Sequence, residues 1–362
     1  MEPNEPKAAA ARQPIDVAIV VFPECDPSII YGVFDTLYAP GVFWNRMFGQ
    51  PLEPLFRPRL VAADRAPVEL VTGVTIVPQE SIANIDRTDI VFVPNVMVYT
   101  PECIRKLDRR LIAWISDMHA KGAQLYASCG GPLVLAEAGL LDGHSATTHW
   151  SYIPLFKQAF PDIELQENRI LVQSGPGHSL VSSGGASSWQ DLCLYMIARH
   201  CGIEEALRIS KLFYYQWHRD GQQPYATMVA NVGHEDAAVL KSQQWIAEHY
   251  DHPDPVREAV AISGLPKRTF DRRFRAATGY APLAYVQSLR IEEAKQMLET
   301  SQDSVEEIAR QVGYEDTASF RRLFRRLVGM IPSEYRRKFQ VPPGLIAAGL
   351  EPQVAGQPPL VS

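Results

Sequence analysis

The stretches Phe270-Asp-Arg-Arg-Phe274-Arg275 and Phe320-Arg-Arg-Leu-Phe324-Arg325 lie 50 residues apart and carry one pattern: two phenylalanines one helical turn apart, ringed by arginine. The same offset holds through Gly279 and Gly329, Pro282 and Pro332, and Tyr285 and Tyr335. Self-similarity at a fixed spacing marks a structural unit used twice. Each copy reads as a short helix, a turn holding Gly264 or Gly313, and a second helix, the order of a helix-turn-helix. Pro266 suits the opening position of the first such second helix, where no backbone N–H is needed. Asp316 suits the N-cap of the other. The phenylalanines are expected to face inward. Lys267, Arg268, Arg272, Arg273 and Arg275 surround the first pair, and Arg321, Arg322, Arg325 and Arg326 the second. Pro282–Leu298 reads as one long helix between the units. Two such helices on a rigid connector could enter successive major grooves, about 34 Å apart.

Working outward, charge divides along the chain in the same sense. Of 35 basic and 41 acidic residues, 16 and 12 fall between Asp254 and Phe339, so this segment is positive and the remainder strongly negative. A basic end on an acidic body is the asymmetry of an attached nucleic-acid module. At 362 residues, two domains are expected. Residues 1–13 and 341–362 read as flexible tails, 14–220 as one domain, 221–238 as a linker after the turn-rich Asp220-Gly-Gln-Gln-Pro224, and 239–340 as the all-α domain. No segment reads as a signal peptide or membrane span, so a cytoplasmic protein with no membrane partner is expected. Five cysteines without a C-x-x-C pair argue against a disulfide framework or zinc site, and no metal or cofactor is expected.

The first domain alternates apolar runs with helical stretches. Ile15–Phe22, Leu60–Ala63, Val68–Val77, Ile90–Val93 and Gln124–Ala127 read as strands, several continuous enough for burial on both sheet faces. Ile29–Leu37, Cys103–Lys121 and Ser188–His200 read as helices. Ile163–Gln166 and Ile170–Gln173 read as a hairpin. The class is α/β with a mostly parallel sheet. Leu125-Tyr-Ala-Ser-Cys129-Gly-Gly-Pro132 places a cysteine between a strand and a helix, the elbow that lifts a nucleophile above a sheet edge. The helix behind it is expected to favour thiolate. Thr147-Thr-His149-Trp could bring an imidazole beside it, and Cys129 and His149 are the catalytic candidates. Ser128, Cys129, Gly130, Thr148 and His149 are equally candidates to line a ligand cleft beyond the carboxyl ends of the strands, with Gly131, Trp150 and Ser182–Gly185 around them.

Residues 243–339 resemble the AraC/XylS family, through Ser263-Gly-Leu265, Ile308-Ala309, Val312-Gly-Tyr314, Ser319-Phe320, Phe324 and Gly329…Pro332…Tyr335-Arg336. The resemblance implies a double-stranded DNA partner, with base-edge contacts from Arg268, Thr269 and Arg272 in the first helix and Thr317, Ala318, Arg321 and Arg322 in the second. Arg273 and Arg325 are counted with this DNA-binding set. Residues 15–220 resemble the PfpI-like branch of the class I glutamine amidotransferase superfamily, through the elbow and Ala136-Glu-Ala-Gly-Leu-Leu-Asp-Gly143 followed by Thr147–Trp150. That implies a flavodoxin-like fold, with Cys129 at the elbow and His149 its partner. One departure is Ile29, where many relatives carry Asp; Glu24 or Asp26 would have to substitute. The whole chain resembles GlxA-family transcriptional regulators. These resemblances imply a sequence-specific DNA-binding transcription regulator controlled by a small-molecule effector, a homodimer, and contact with RNA polymerase. The competing reading is a cysteine-dependent amidase or hydratase with a helical appendage.

Overall fold

The computed structural model describes residues 13–228 and 233–342. The expected tails lie almost wholly outside these residues, as does part of the expected linker. The chain forms two compact units that divide between Gln222 and Gln223.

The first unit is built on a seven-stranded sheet in the spatial order Leu171–Ser174, Leu180–Ser183, Gln124–Ser128, Ile90–Val93, Ile15–Val20, Phe56–Ala62 and Glu80–Ser81. All pairings are parallel except the outermost, Leu171–Ser174 with Leu180–Ser183. Val17 to Val20 and Ile90 to Val93 are buried throughout, which is why both runs lack a polar alternation. Helices Pro27–Tyr38, Arg109–Ala120, Gly131–Glu137 and Trp189–Cys201 follow strands of this sheet.

Three sequence expectations change here. The hairpin falls one step later: Glu164–Leu165 pairs in parallel with Ser145–Ala146, and Leu171–Ser174 reverses through Gly175 and Gly177, both at positive φ, into Leu180–Ser183. That last strand is Leu-Val-Ser-Ser, too short and polar to stand out, although all four residues are buried. The run Val68–Val77 is broken at Gly73 into Val68–Glu69 and Thr75–Ile76, paired antiparallel. The helix expected over Cys103–Lys121 stops at Arg105 and restarts at Arg109, where Asp108 accepts from the Arg110 N–H at 2.9 Å.

The second unit is helical, with no strand among its described residues. Its helices are Ala237–Glu248, Pro255–Ser263, Lys267–Thr278, Pro282–Thr300, Val305–Gln311, Thr317–Val328 and Pro332–Phe339. The connector Pro282–Thr300 serves two separate cores. Tyr285, Val286 and Leu289 pack with Phe270 and Phe274, whereas Ile291, Ala294 and Leu298 pack with Phe320 and Phe324. Between them the buried Arg290 donates to the carbonyls of Tyr250, His252 and Gly313 at 2.7, 2.8 and 2.9 Å. An arginine that looks like surface charge in sequence is the clasp between the two copies.

Candidate nucleic-acid interface and elbow cleft

The two second helices have the boundaries their turn chemistry dictates. Lys267–Thr278 opens after Pro266, which sits just outside the helix rather than at its first position. The Pro266 carbonyl accepts from the Thr269 and Phe270 N–H groups at 2.9 Å each. Thr317–Val328 opens on Asp316, whose carboxylate accepts from Ala318 and Ser319 N–H at 3.0 Å each. Both helices end on a glycine in the left-handed region, Gly279 and Gly329. Phe270, Phe274, Phe320 and Phe324 have no exposed surface.

Burial of those rings fixes what faces out. Arg268, Arg272 and Arg275 are exposed on the first helix, and Thr269 is half-buried. On the second, Ala318, Arg321, Arg322 and Arg325 are exposed and Thr317 is half-buried. Arg273 is placed differently from its neighbours. Its Nε and Nη2 donate to Asp236 at 2.8 and 2.6 Å, and Asp236 also caps the helix that begins at Ala237. Asp271, the only acid among these cations in the sequence, lies on the same outward stripe as Arg268, Arg272 and Arg275 by its three- and four-residue spacing. A groove of about 630 Å³ runs along this stripe, bounded by Val256, Arg268, Asp271, Arg272, Arg275 and Leu283.

In the first unit, Cys129 occupies an elbow. Its φ is 59°, a left-handed conformation uncommon for a side-chain-bearing residue. Neighbours hold it there: its N–H donates to Ser183 O at 2.9 Å, and its carbonyl accepts from Thr148 Oγ1 at 2.7 Å and His149 N at 3.2 Å. Glycine is needed next, since a Cβ on Gly131 would lie 2.4 Å from the Val93 carbonyl oxygen. The His149 segment therefore does meet the elbow, but through the Thr148 hydroxyl and the His149 N–H rather than the imidazole. The ring's Nδ1 is engaged by Ser151 at 2.7 Å, and among the described residues no hydrogen bond joins it to the Cys129 thiol. Ser128 and Thr148 have no exposed surface and shape the elbow from behind.

The acid missing at Ile29 is supplied from elsewhere. Asp26 accepts from Asn95 Nδ2 at 3.0 Å, and Asn95 Oδ1 in turn accepts from Gly130 N–H at 2.9 Å. Its effect on the thiol is opposite to activation. Burial first, and then the Asp26 charge, push the Cys129 thiol up to about 12, outweighing the Gly130 N–H. The expected thiolate preference is thus reversed, because a buried anion beside a carboxylate costs more than a seven-residue helix behind it returns. Burial also lowers the His149 imidazole below its ordinary value.

Gln222 was likewise illegible in sequence. Almost fully buried, it accepts from Trp150 N–H at 3.1 Å through Oε1. Its Nε2 faces the Thr148, Glu167 and Arg169 carbonyls at 2.9, 3.1 and 3.1 Å. The last residue of the first unit is thus clamped to the segment that clamps Cys129.

Comparison with known proteins finds relatives for both units. The family described as "Helix-turn-helix domain" matches residues 260–338, and the DJ-1/PfpI family matches residues 54–198. The HTH-type transcriptional regulator CdhR of Pseudomonas aeruginosa is 27% identical over 285 residues, covering 78% of this chain and 82% of that protein. GlxA of Rhizobium meliloti is 28% identical over 60% of this chain and 66% of its own length. GbdR of Pseudomonas aeruginosa is 25% identical over 81% and 77%. The chain is a DNA-binding transcription regulator with an enzyme-like domain in front of its reader. It has the GlxA-type architecture, a DJ-1/PfpI domain followed by an AraC-type helix-turn-helix domain. Among the described residues no helix is long and apolar enough to cross a membrane.

Proposed function

We propose that the second unit reads a bipartite operator through Arg268, Thr269, Arg272 and Arg275 on one helix and Thr317, Ala318, Arg321, Arg322 and Arg325 on the other, with Arg273 anchoring the first helix through Asp236. The observation that carries this reading is the repeated outward stripe of arginines over a buried phenylalanine pair. A solvated charged face gives no reason for that register to recur. Arginine suits guanine O6 and N7 bidentately. In the cytoplasm, a small metabolite in the cleft above Cys129 biases a dimer between states of different DNA affinity, which requires unequal affinity for the two states. Asp26 is the charged side chain that acts on the thiol. That polarity favours a ligand offering positive charge or hydrogen-bond donors. A thiol held near 12 and an imidazole turned to Ser151 weigh against nucleophilic catalysis.

The test is fluorescence anisotropy of the full chain on DNA from upstream of its own gene, beside a random duplex and a salt series. Tight binding that prefers the upstream duplex near physiological salt supports the reading. Equal, weak binding to both that vanishes with salt rejects it for that operator. Rapid iodoacetamide labelling of Cys129 near neutral pH would then reopen the enzyme reading.

A further inference from the structure

We infer that Asp271 is a specificity-determining residue of the first reading unit, accepting a hydrogen bond from the exocyclic amino group of a cytosine in the major groove. The inference rests on the DNA-reading assignment above and adds a base to one of its positions.

The carboxylate sits on the outward stripe, between Arg268 and Arg275 and beside Arg272. Lys267 Nζ holds Oδ2 at 2.8 Å, while Oδ1 has no partner among the described residues. The groove of about 630 Å³ opens in front of it. A carboxylate in a cationic face that approaches phosphates is repelled by them, because phosphate oxygens only accept. Base edges offer the donors it needs. Cytosine presents the N4 amino group, guanine presents two acceptors, and adenine sets its N7 acceptor beside N6. An acceptor-only side chain is repelled by guanine and half-opposed by adenine. Cytosine is the base that leaves no acceptor facing it.

The second unit supports the assignment by contrast. At the 50-residue offset Asp271 corresponds to Arg321; on the preceding helix Glu306 faces Arg321, whereas Val256 lines the groove beside Asp271. Arg321 donates to Glu306 at 2.6 Å, so there the cation stands on the reading helix and the acid on the helix before it. In the first unit a carboxylate stands on the reading helix with an apolar wall beside it. Equivalent reading positions of opposite charge cannot prefer the same base. The site bound by one chain therefore has two unlike halves.

The experiment is selection of binding sites from a random duplex library by the full chain, run in parallel for wild type, Asp271→Asn and Asp271→Arg. Wild type should yield one position constrained to cytosine by about tenfold, the lower end of what one base-edge contact supplies. Asp271→Asn should move that one position toward adenine, since an amide pairs with N6 and N7 together, and Asp271→Arg should move it toward guanine. All other positions should keep their preference. An unchanged motif with affinity raised uniformly on every sequence would mean that Asp271 is surface charge only, and would overturn the inference while leaving DNA reading intact. If wild type selects no motif, the DNA-reading assignment falls and this inference with it.

Discussion

The side chains of Arg268, Arg272 and Arg275 on the first reading helix make no hydrogen bond or ion pair among the described residues, and an open groove lies beside them. On the second, Glu306 holds Arg321 at 2.6 Å, and Ser319 and Asp316 hold Arg322 at 2.7 and 3.8 Å. The backbone plan is the same in both copies, down to the glycine at each helix end. What differs is how far the cations are already committed. Untethered arginines can turn to any phosphate or base within reach and lose rotamer freedom when they do. Tethered arginines have lost part of that freedom beforehand, and must exchange a carboxylate for the base edge. A repeated fold therefore does not imply a repeated reading code. The first unit thus presents freer cations and the second more tethered ones.

The two copies share the connector Pro282–Thr300, and Arg290 on it ties them together. Arg290→Ala would remove a buried guanidinium and leave the part-buried carbonyls of Tyr250, His252 and Gly313 without that donor. Stability of the helical domain should fall by about 3 kcal/mol or more, seen as an earlier thermal transition. Hydrogen exchange should rise around both cores. If only the second copy loosens, the clasp is local and the copies are stabilised independently.

Next in size are the paired substitutions Arg272→Ala and Arg322→Ala, equivalent under the 50-residue offset. Each should cost about 1–3 kcal/mol on the best site and relax one base position, a different one for each variant. Anisotropy on a panel of single-base variants reads this directly. If both relax the same position, the copies do not read separate halves. Glu306→Gln should have a smaller effect of opposite sign. Releasing Arg321 from an exposed pair worth about 0.2–1 kcal/mol should raise affinity for random DNA up to about fivefold at low salt, and the gain should vanish as salt screens it.

These effects show where sequence was readable and where it was not. The phenylalanine pairs were legible because an i, i+4 apolar step carries its own meaning within one helix. The elbow was legible because Cys129-Gly-Gly-Pro132 is a local backbone requirement. The arginines were not equally legible. A guanidinium reads alike whether it meets DNA, as proposed for Arg272, or Asp236, as Arg273 does, or three carbonyls, as Arg290 does. Only the partner decides, and the partners lie 23 to 40 residues away in the last two cases. Asn95 and Gln222 escaped for the same reason, being polar residues whose role is set by distant backbone or side-chain atoms around the elbow, while Asp26 was legible only as one of two candidate acids. Strand Leu180–Ser183 escaped because its two serines are satisfied inside the fold, by Thr147 N–H and Ser188, rather than by solvent.

The smallest effect is also the sharpest on how far the DNA-facing set extends. Arg273 sits among exposed arginines in sequence, yet its fork is closed on Asp236. Arg273→Ala should leave the base preferences of the first unit unchanged and lower stability only slightly, because solvent screens an exposed pair. The pH dependence separates this from loss of a DNA contact. Arg273 and the cap N–H of Val239 hold the Asp236 carboxyl below its ordinary value of 3.8. A folded-state value below the unfolded one gives stability that is present in full above the unfolded value and lost as pH falls through the folded one. The difference in melting temperature between wild type and Arg273→Ala should therefore hold steady from neutral pH down to about 5, then shrink as pH drops below 4. A variant that instead loses selectivity at one base pair, with no pH-dependent stability difference, would return Arg273 to the reading face and make the first unit's charge supply larger than its open groove implies.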